Sequence, residues 1–397
     1  MKDRKLGIAV IGLGGAVGTT MVAGIELLKK GLIDKTGLPL AGLGENLTKD
    51  LAAYENITFA GWDLFGEHLA QAAENHDVLT HKQFIAVCDE LRKIKPWRAA
   101  QNKDFLSNIE GENKFPENIT HRETIEKIRE NLRGFKSECG AAVVINLAST
   151  EKLTDEGSEI FNTLEGFEQA LDANSGEISP AMLYAYAAIA EGVPYGNFTP
   201  SVAADVPALI EFAGRQNVPV AGKDGKTGQT MIKSVLAPAF KTRALKVEGW
   251  YSTNILGNRD GLALSNAESL ASKVKTKSSL LEDILGYEVE DHLVDIRYYR
   301  PRGDNKEAWD NIDLKGFLGR PMQIKVNFLC RDSILAAPLA IEIARCLDLA
   351  QRRCEKGVLE ELSIFFKMPM TRDKNRRAEN ALHKQEEILL DWLQKQS

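Results

Sequence analysis

Leu6-Gly-Ile-Ala-Val-Ile-Gly-Leu-Gly-Gly-Ala-Val-Gly18 is the stretch on which the fold turns. Leu6 to Ile11 is a short apolar run of branched side chains closed by a glycine cluster, which predicts a buried parallel strand. From Thr19 to Lys30, Met21, Val22, Ile25 and Leu28 fall at helical spacing. Strand, glycine-rich turn and helix in that order open a dinucleotide-binding βα unit. Glycines permit the tight turn and let backbone N–H groups approach a pyrophosphate at the helix start. The cofactor-binding candidates here are therefore Gly12, Gly14, Gly15, Ala16, Val17 and Gly18. The spacing, GxGGxxG, is one residue longer than GxGxxG. No acidic residue closes a second strand about twenty positions later, where the ribose ligand is expected; Asp34, in GLIDKTG, reads as loop. Asp63, in the Gly-Trp-Asp that follows the strand-like Asn56-Ile-Thr-Phe-Ala60, is the replacement candidate. A plain turn aspartate is its other reading.

Around this unit the chain has the composition of an ordinary soluble protein. It has 397 residues, 44% hydrophobic and 27% charged, which suggests two or three domains. Fifty basic against 56 acidic residues give a net charge of −6. Neither a nucleic acid nor an anionic membrane is an expected partner, so an anionic ligand needs a local concentration of positive charge. Cys88, Cys139, Cys330, Cys346 and Cys354 include no CxxC pair and read as free thiols of a reducing compartment. The scattered histidines predict no structural metal site. The N-terminus lacks a cleavable-signal pattern and no run of eighteen apolar residues occurs, so a cytoplasmic location is expected.

Residues 66–140 hold segments such as KQFIAVCDELRKI and ETIEKIRENLRGF, which predict amphipathic helices decorating the first domain. Ala141 to Leu147 is another buried strand, and the polar run Ala148-Ser-Thr-Glu151 beyond it is where ligands of open α/β sheets sit, so Ser149 joins the cofactor candidates. A strand at Val218–Ala221, the loop Gly222–Thr230 and a helix over 231–245 follow. Leu245–Asn254, Asp291–Arg300 and Pro321–Cys330 alternate apolar with polar residues, the pattern of strands with one wet face. In the last, Met322, Ile324, Val326 and Phe328 should face a core. From Ser333 the chain turns helical and apolar, and 378–396 is a further amphipathic helix. The expected layout is a nucleotide domain over 1–230, an inserted open-sheet domain over 231–334, and a return to the first domain over 335–397.

The loop Gly222-Lys-Asp-Gly-Lys-Thr-Gly-Gln-Thr230 contains GKT, but a P-loop needs a glycine at position 220, which is Val220. What remains is a strand–loop–helix junction with Thr227, Gly228, Gln229 and Thr230, a generic phosphate cradle or a merely structural loop. In Ser272-Lys-Val-Lys-Thr-Lys-Ser-Ser279, Lys273 and Lys277 share a face in a helix or in a strand, and such a like-charged pair repels unless an anion lies between. A solvated surface run is the alternative.

Several of these pieces together resemble the myo-inositol-1-phosphate synthase family: GLGGAVGTT, Gly61-Trp-Asp63, GKDGKTGQT, Asn254-Ile-Leu-Gly-Asn-Arg-Asp-Gly261, SKVKTKSS, Gly303-Asp-Asn-Lys306 and Cys330-Arg-Asp-Ser333, in this order. The likeness is dense from about residue 222 to 340 and patchier before it. Ala16 and Val17 stand where the family usually has asparagines, Arg259 where a second asparagine is usual, and Thr227 for a serine. The resemblance implies an α/β fold, a Rossmann-type NAD-binding domain interrupted by an α+β catalytic and tetramerisation domain. It implies conversion of D-glucose 6-phosphate to inositol 1-phosphate with bound NAD: C5 is oxidised, a C6 proton is lost, C6 attacks C1, and the ring is reduced again. By matched position, Thr227 to Thr230 with Lys277 hold the phosphate and Lys273 accepts the C5 hydroxyl proton. Lys306 and Lys367 stabilise the C1 oxygen, and Asp224, Asn254 and Asp332 orient lysines or sugar hydroxyls. Asp224 also counts among the cofactor ligands. A weakly held divalent or monovalent cation and a homotetramer complete the expectation. A simple dehydrogenase of a phosphorylated sugar and a non-catalytic dinucleotide sensor are the competing readings.

Overall fold

The computed structural model describes residues 4–107, 109–257, 280–373 and 376–395. Its centre is a seven-stranded sheet, formed by β1 (Leu6–Ile11), β2 (Ile57–Asp63), β3 (Trp97–Arg98), β4 (Ala142–Asn146), β5 (Tyr195–Asn197), β6 (Pro219–Gly222) and β11 (Gly357–Val358). The order is β11-β6-β5-β4-β1-β2-β3, and every pairing is parallel. The fold is α/β and Rossmann-like. Helices cover both faces, so β1 is buried at all six positions. Leu6, Ile8 and Val10 face a core shared with the helices Ala16–Lys29 and Asp332–Arg352. Ala9 and Ile11 face a second core with the helices His121–Cys139 and Pro180–Ala190. Each buried branched side chain contributes about 1.5–3 kcal/mol, and that two-sided burial is why these strands read as uninterrupted apolar runs.

The amphipathic segments of 66–140 form helices at Leu69–His76, His81–Arg92 and His121–Cys139; the last two start with capping boxes at Thr80 and Thr120. The first helix begins at Ala16, inside the glycine cluster and three residues before the expected start at Thr19.

A second sheet has the order β10-β9-β7-β8, from β7 (Lys246–Leu256), β8 (Asp291–Tyr298), β9 (Asn305–Lys315) and β10 (Pro321–Arg331). β10–β9 and β9–β7 are antiparallel and β7–β8 is parallel. β9 is a fourth strand beyond the three expected. Its sequence NKEAWDNIDLK carries too many polar residues to stand out, yet Ala308, Asp310, Ile312 and Leu314 alternate inward. Trp250, Ile312, Leu314 and Phe240 pack in a smaller core against the helix Gly228–Thr242. Met322, Ile324, Val326 and Phe328 do not reach a full core: the last three are only half-buried and Met322 is exposed. Among the described residues β10 is the edge of this sheet, paired on one side only. The chain then returns to the first sheet, through the helix Asp332–Arg352, β11 and the helix Leu382–Gln394, whose Leu389, Trp392 and Leu393 join the first core.

Candidate active site

Strand order reverses direction at β1 and β4, and a cleft opens beyond the carboxyl ends of the parallel strands. Ile11, Gly12, Asp63, Asn146, Thr199 and Asp224 all line it, and it holds about 1660 Å³ of space, some of it open to solvent. Gly12 has φ +85°, and a Cβ there would meet the Leu147 carbonyl oxygen at 3.0 Å, so the β1 and β4 turns press together at the floor. A Cβ on Gly18 would lie 2.4 Å from the Leu13 oxygen. The helix Ala16–Lys29 has no side-chain cap and no acidic residue in its first turn, so no side chain competes for its leading N–H groups. That is an anion seat suited to a pyrophosphate.

Asp63 closes β2 and lines the cleft. Its Oδ2 accepts from the Gly14 N–H at 2.8 Å and its Oδ1 from the Phe65 N–H at 3.0 Å, so this carboxylate both fixes the glycine loop and borders the cofactor side. It sits at the end of the second strand, where the ribose ligand of such sheets belongs. The long excursion of residues 30–56 between the first helix and β2 is why the expected sequence spacing fails. Gly15, Ala16, Val17, Gly18 and Ser149 also line the cleft.

Charged side chains from four other parts of the chain meet the same cleft. Lys367 Nζ lies 2.7 Å from Asp224 Oδ1, both residues nearly buried. Lys306, near the start of β9, lies 3.4 Å from Asp332 Oδ1, which also accepts from Thr227 Oγ1 at 3.1 Å. Lys306, Lys367, Asp224, Asp332 and Thr227 all line the cleft. Backbone bonds lock two of the segments together: Lys226 N–H to Phe365 O at 2.8 Å, Lys367 N–H to Asp224 O at 2.6 Å, and Lys223 N–H to Met368 O at 2.8 Å. Each lysine is held in place by a carboxylate in a partly dry site. The helix Gly228–Thr242, with Thr227 at its N-cap, likewise has no side-chain cap and no acidic residue in its first turn. A second anion seat therefore borders the cleft.

Other predicted residues lie beside the cleft rather than along it. Gln229 Nε2 donates to Asp310 Oδ2 at 3.1 Å and to the Trp309 carbonyl at 3.2 Å, and Asn254 Nδ2 donates to Gln229 Oε1. Both side chains thus tie the helix start to the second sheet, and Gly228 and Thr230 are buried there with them. Lys273 and Lys277 lie outside the described residues.

Asp310, Lys233 and Lys226 are among the buried ionisable residues that were not singled out by sequence. Asp310, 2% exposed, also accepts from Trp250 Nε1 and Ser252 Oγ, each at 2.7 Å. Its inward place in the Ala308–Leu314 alternation was the available signal. Lys233 stacks over Trp250 with its Nζ 2.7 Å from His292 Nε2, and burial lowers it to about 8. Lys226, in the GKT of the loop, turns away from the cleft to Gln385 Oε1, and burial lowers it to about 7. Nothing in GKT distinguishes an inward lysine from one facing a ligand. Among the described residues no group of three or more His, Cys, Asp or Glu side chains is placed to hold a metal ion, and no helix is long and apolar enough to cross a membrane. The five cysteines are free thiols.

A family model described as myo-inositol-1-phosphate synthase matches residues 46–394. The chain is 44% identical over 389 residues to inositol-3-phosphate synthase 1 of Bacteroides thetaiotaomicron, covering 92% of this chain and 90% of that protein. It is 30% identical over 433 residues to the inositol-3-phosphate synthase of Dictyostelium discoideum, covering 97% and 84%. The crystal structure of inositol-3-phosphate synthase from Caenorhabditis elegans superposes with a TM-score of 0.92 at 28% identity, over 99% of this chain and 86% of that one. A myo-inositol-1-phosphate synthase-related protein from Thermotoga maritima gives 0.82 at 25% identity, covering 98% of each.

Proposed function

The chain belongs to the myo-inositol-1-phosphate synthase family, and we infer that it is an isomerase converting D-glucose 6-phosphate to 1L-myo-inositol 1-phosphate with NAD. The observation that carries this reading is one cleft bordered by a glycine-loop helix start, a second uncapped helix start, and two carboxylate-held lysines. A simple dehydrogenase of a phosphorylated sugar has no need of several lysines around one substrate, and a sensor has no use for them. Bound NAD supplies the oxidation of C5 and its later reversal.

We assign the residues their roles from the resemblance at matched positions, which the places of the described ones support. The N–H groups of 16–18 face the pyrophosphate, with contacts at Ala16 and Val17 left to the backbone, and Asp63 and Ser149 border the cofactor. Thr227 and the N–H groups of Gly228, Gln229 and Thr230 take the substrate phosphate, joined by Lys277. Gln229 and Asn254 contribute by holding that helix start on the second sheet. Lys273 accepts the C5 hydroxyl proton. Loss of the C6 proton next to the C5 ketone leaves an enolate, and C6 forms a bond to C1, whose carbonyl oxygen becomes an alkoxide. Lys306, held by Asp332, and Lys367, held by Asp224, stabilise that oxygen, since fixed cations aimed at developing charge usually supply the largest catalytic term. Any activating cation would sit on carboxylate and phosphate oxygens.

The division into 1–230, 231–334 and 335–397 suits this chemistry, because the insertion brings Lys306 to the cofactor sheet. The outer face of the second sheet leaves Tyr251, Leu293, Trp309 and Leu329 exposed, and we assign that face to a homotetramer. A cytoplasmic location fits the free thiols. The test of the activity is glucose 6-phosphate with a trace of NAD, products read by NMR. Many turnovers per NAD with inositol phosphate as product are expected; NADH accumulating in solution with a keto-sugar phosphate would overturn the reading in favour of a dehydrogenase.

A further inference from the structure

Glu151 ends the polar run that follows β4, and it lines the cofactor cleft although it is only 7% exposed. Its backbone N–H donates to Ser201 Oγ at 3.0 Å, which pins it over the β4–β5 side of the sheet. Its Oε1 accepts from the Ala181 N–H at 3.0 Å, in the first turn of the helix Pro180–Ala190. Its Oε2 is buried and has no partner at hydrogen-bond geometry, although the nearby Ser179 hydroxyl interacts with the carboxyl as a whole. Burial pushes this carboxyl up to about 7. A buried oxygen with an unmet hydrogen bond costs stability and calls for a reason.

Capping the helix is not a sufficient reason. Ser179 already caps it, its Oγ accepting from the Met182 N–H at 3.3 Å, and a cap employs one carboxyl oxygen and not two. The direction of the cleft supplies a better one. Asp63, on the β2 side, and the glycine loop at β1 border the adenosine and pyrophosphate portions, so a dinucleotide crossing the switch point carries its other nucleoside over β4 and β5. The terminal group of that half is the nicotinamide carboxamide, whose two N–H donors need acceptors when taken out of water.

We propose that Glu151 Oε2 accepts a hydrogen bond from the carboxamide N–H of bound NAD, making Glu151 a cofactor-recognition residue of this cleft. The proposal rests on the NAD-dependent reading above. Glu151→Gln keeps an oxygen for the Ala181 N–H but places an amide donor where Oε2 stood, facing the carboxamide donor. Affinity for NAD, measured by calorimetry or tryptophan fluorescence on the full chain, should fall about tenfold. The control ligand is 3-acetylpyridine adenine dinucleotide, in which a methyl group replaces the amide nitrogen. It should bind the wild type more weakly than NAD does, and the substitution should weaken it no further. A melting temperature within a few degrees of wild type accompanies the expected result. An unchanged NAD affinity, or an equal loss for both dinucleotides, overturns the proposal. Failure of the wild type to bind NAD at all would instead overturn the functional reading beneath it.

Discussion

In the seven-stranded sheet both faces are covered and β1 is buried along its whole length, whereas the four-stranded sheet covers one face and leaves Tyr251, Leu293, Trp309 and Leu329 to solvent. The inner faces differ too. Beneath the first sheet the core is mostly apolar, its main buried charges being the Glu342–Arg345 pair beside Tyr54 in the helix layer; beneath the second, Asp310, Gln229, Asn254, Ser252 and Lys233 form a buried polar group beside Trp250 and Ile312. The first sheet is a platform whose ligand groups sit on loops beyond its ends. The second places polar side chains within its own core, next to a helix start that receives an anion in the proposed reaction. Apolar packing dominates the one; the other depends more on matched donors and acceptors, and so its stability and its chemistry are coupled.

The largest expected effect falls where the two halves meet. Lys367→Ala removes a cation held by Asp224 and leaves that buried carboxylate without it, so turnover should drop by about a thousandfold while NAD still binds. Turnover within tenfold of wild type would remove Lys367 from the chemistry and weaken the idea that the returning chain completes the site. Asp310→Asn tests the polar core. An asparagine turns an amide donor toward Gln229 Nε2 or toward the Trp250 and Ser252 donors, and should cost about 2 kcal/mol in denaturant unfolding. It should also raise the KM for glucose 6-phosphate several-fold with little change in NAD affinity. A stability loss with KM unaltered would make the network purely structural. The smallest effect on the single chain is expected at the open face. Trp309→Asp should leave the melting transition of the dissociated chain nearly unchanged but lower the mass seen by light scattering if that face carries the proposed assembly, and an unaltered mass would place subunit contacts elsewhere.

Legibility in the sequence followed the same division. β1, β2, β4 and the helices over 81–92 and 121–139 could be read because two-sided burial gives unbroken apolar runs and one-sided burial gives a clean helical period. The short strands β3, β5 and β11 could not, since two or three residues carry no period. β9 escaped notice because its inward row includes Asp310, and a charged residue in that row hides the alternation. Asp63 was found by its place after a strand and not by its distance from the glycine loop. Lys306, Lys367, Asp224 and Asp332 are far apart in sequence and no local pattern links them; family resemblance brought them forward, and the fold places them on one cleft. Lys226 and Glu151 required coordinates, because burial without a local partner leaves no mark in a linear chain.

The central claim is that one bound cofactor serves both ends of a single isomerisation in the shared cleft. The assay with glucose 6-phosphate and a trace of unlabelled NAD, repeated with deuterium at C5 of the sugar, tests it most directly. The account predicts that the deuterium taken from C5 returns to it, so that NMR finds the label in the inositol phosphate and none in NADH free in solution. Loss of the label from the product, with deuterated NADH building up in solution, would contradict it.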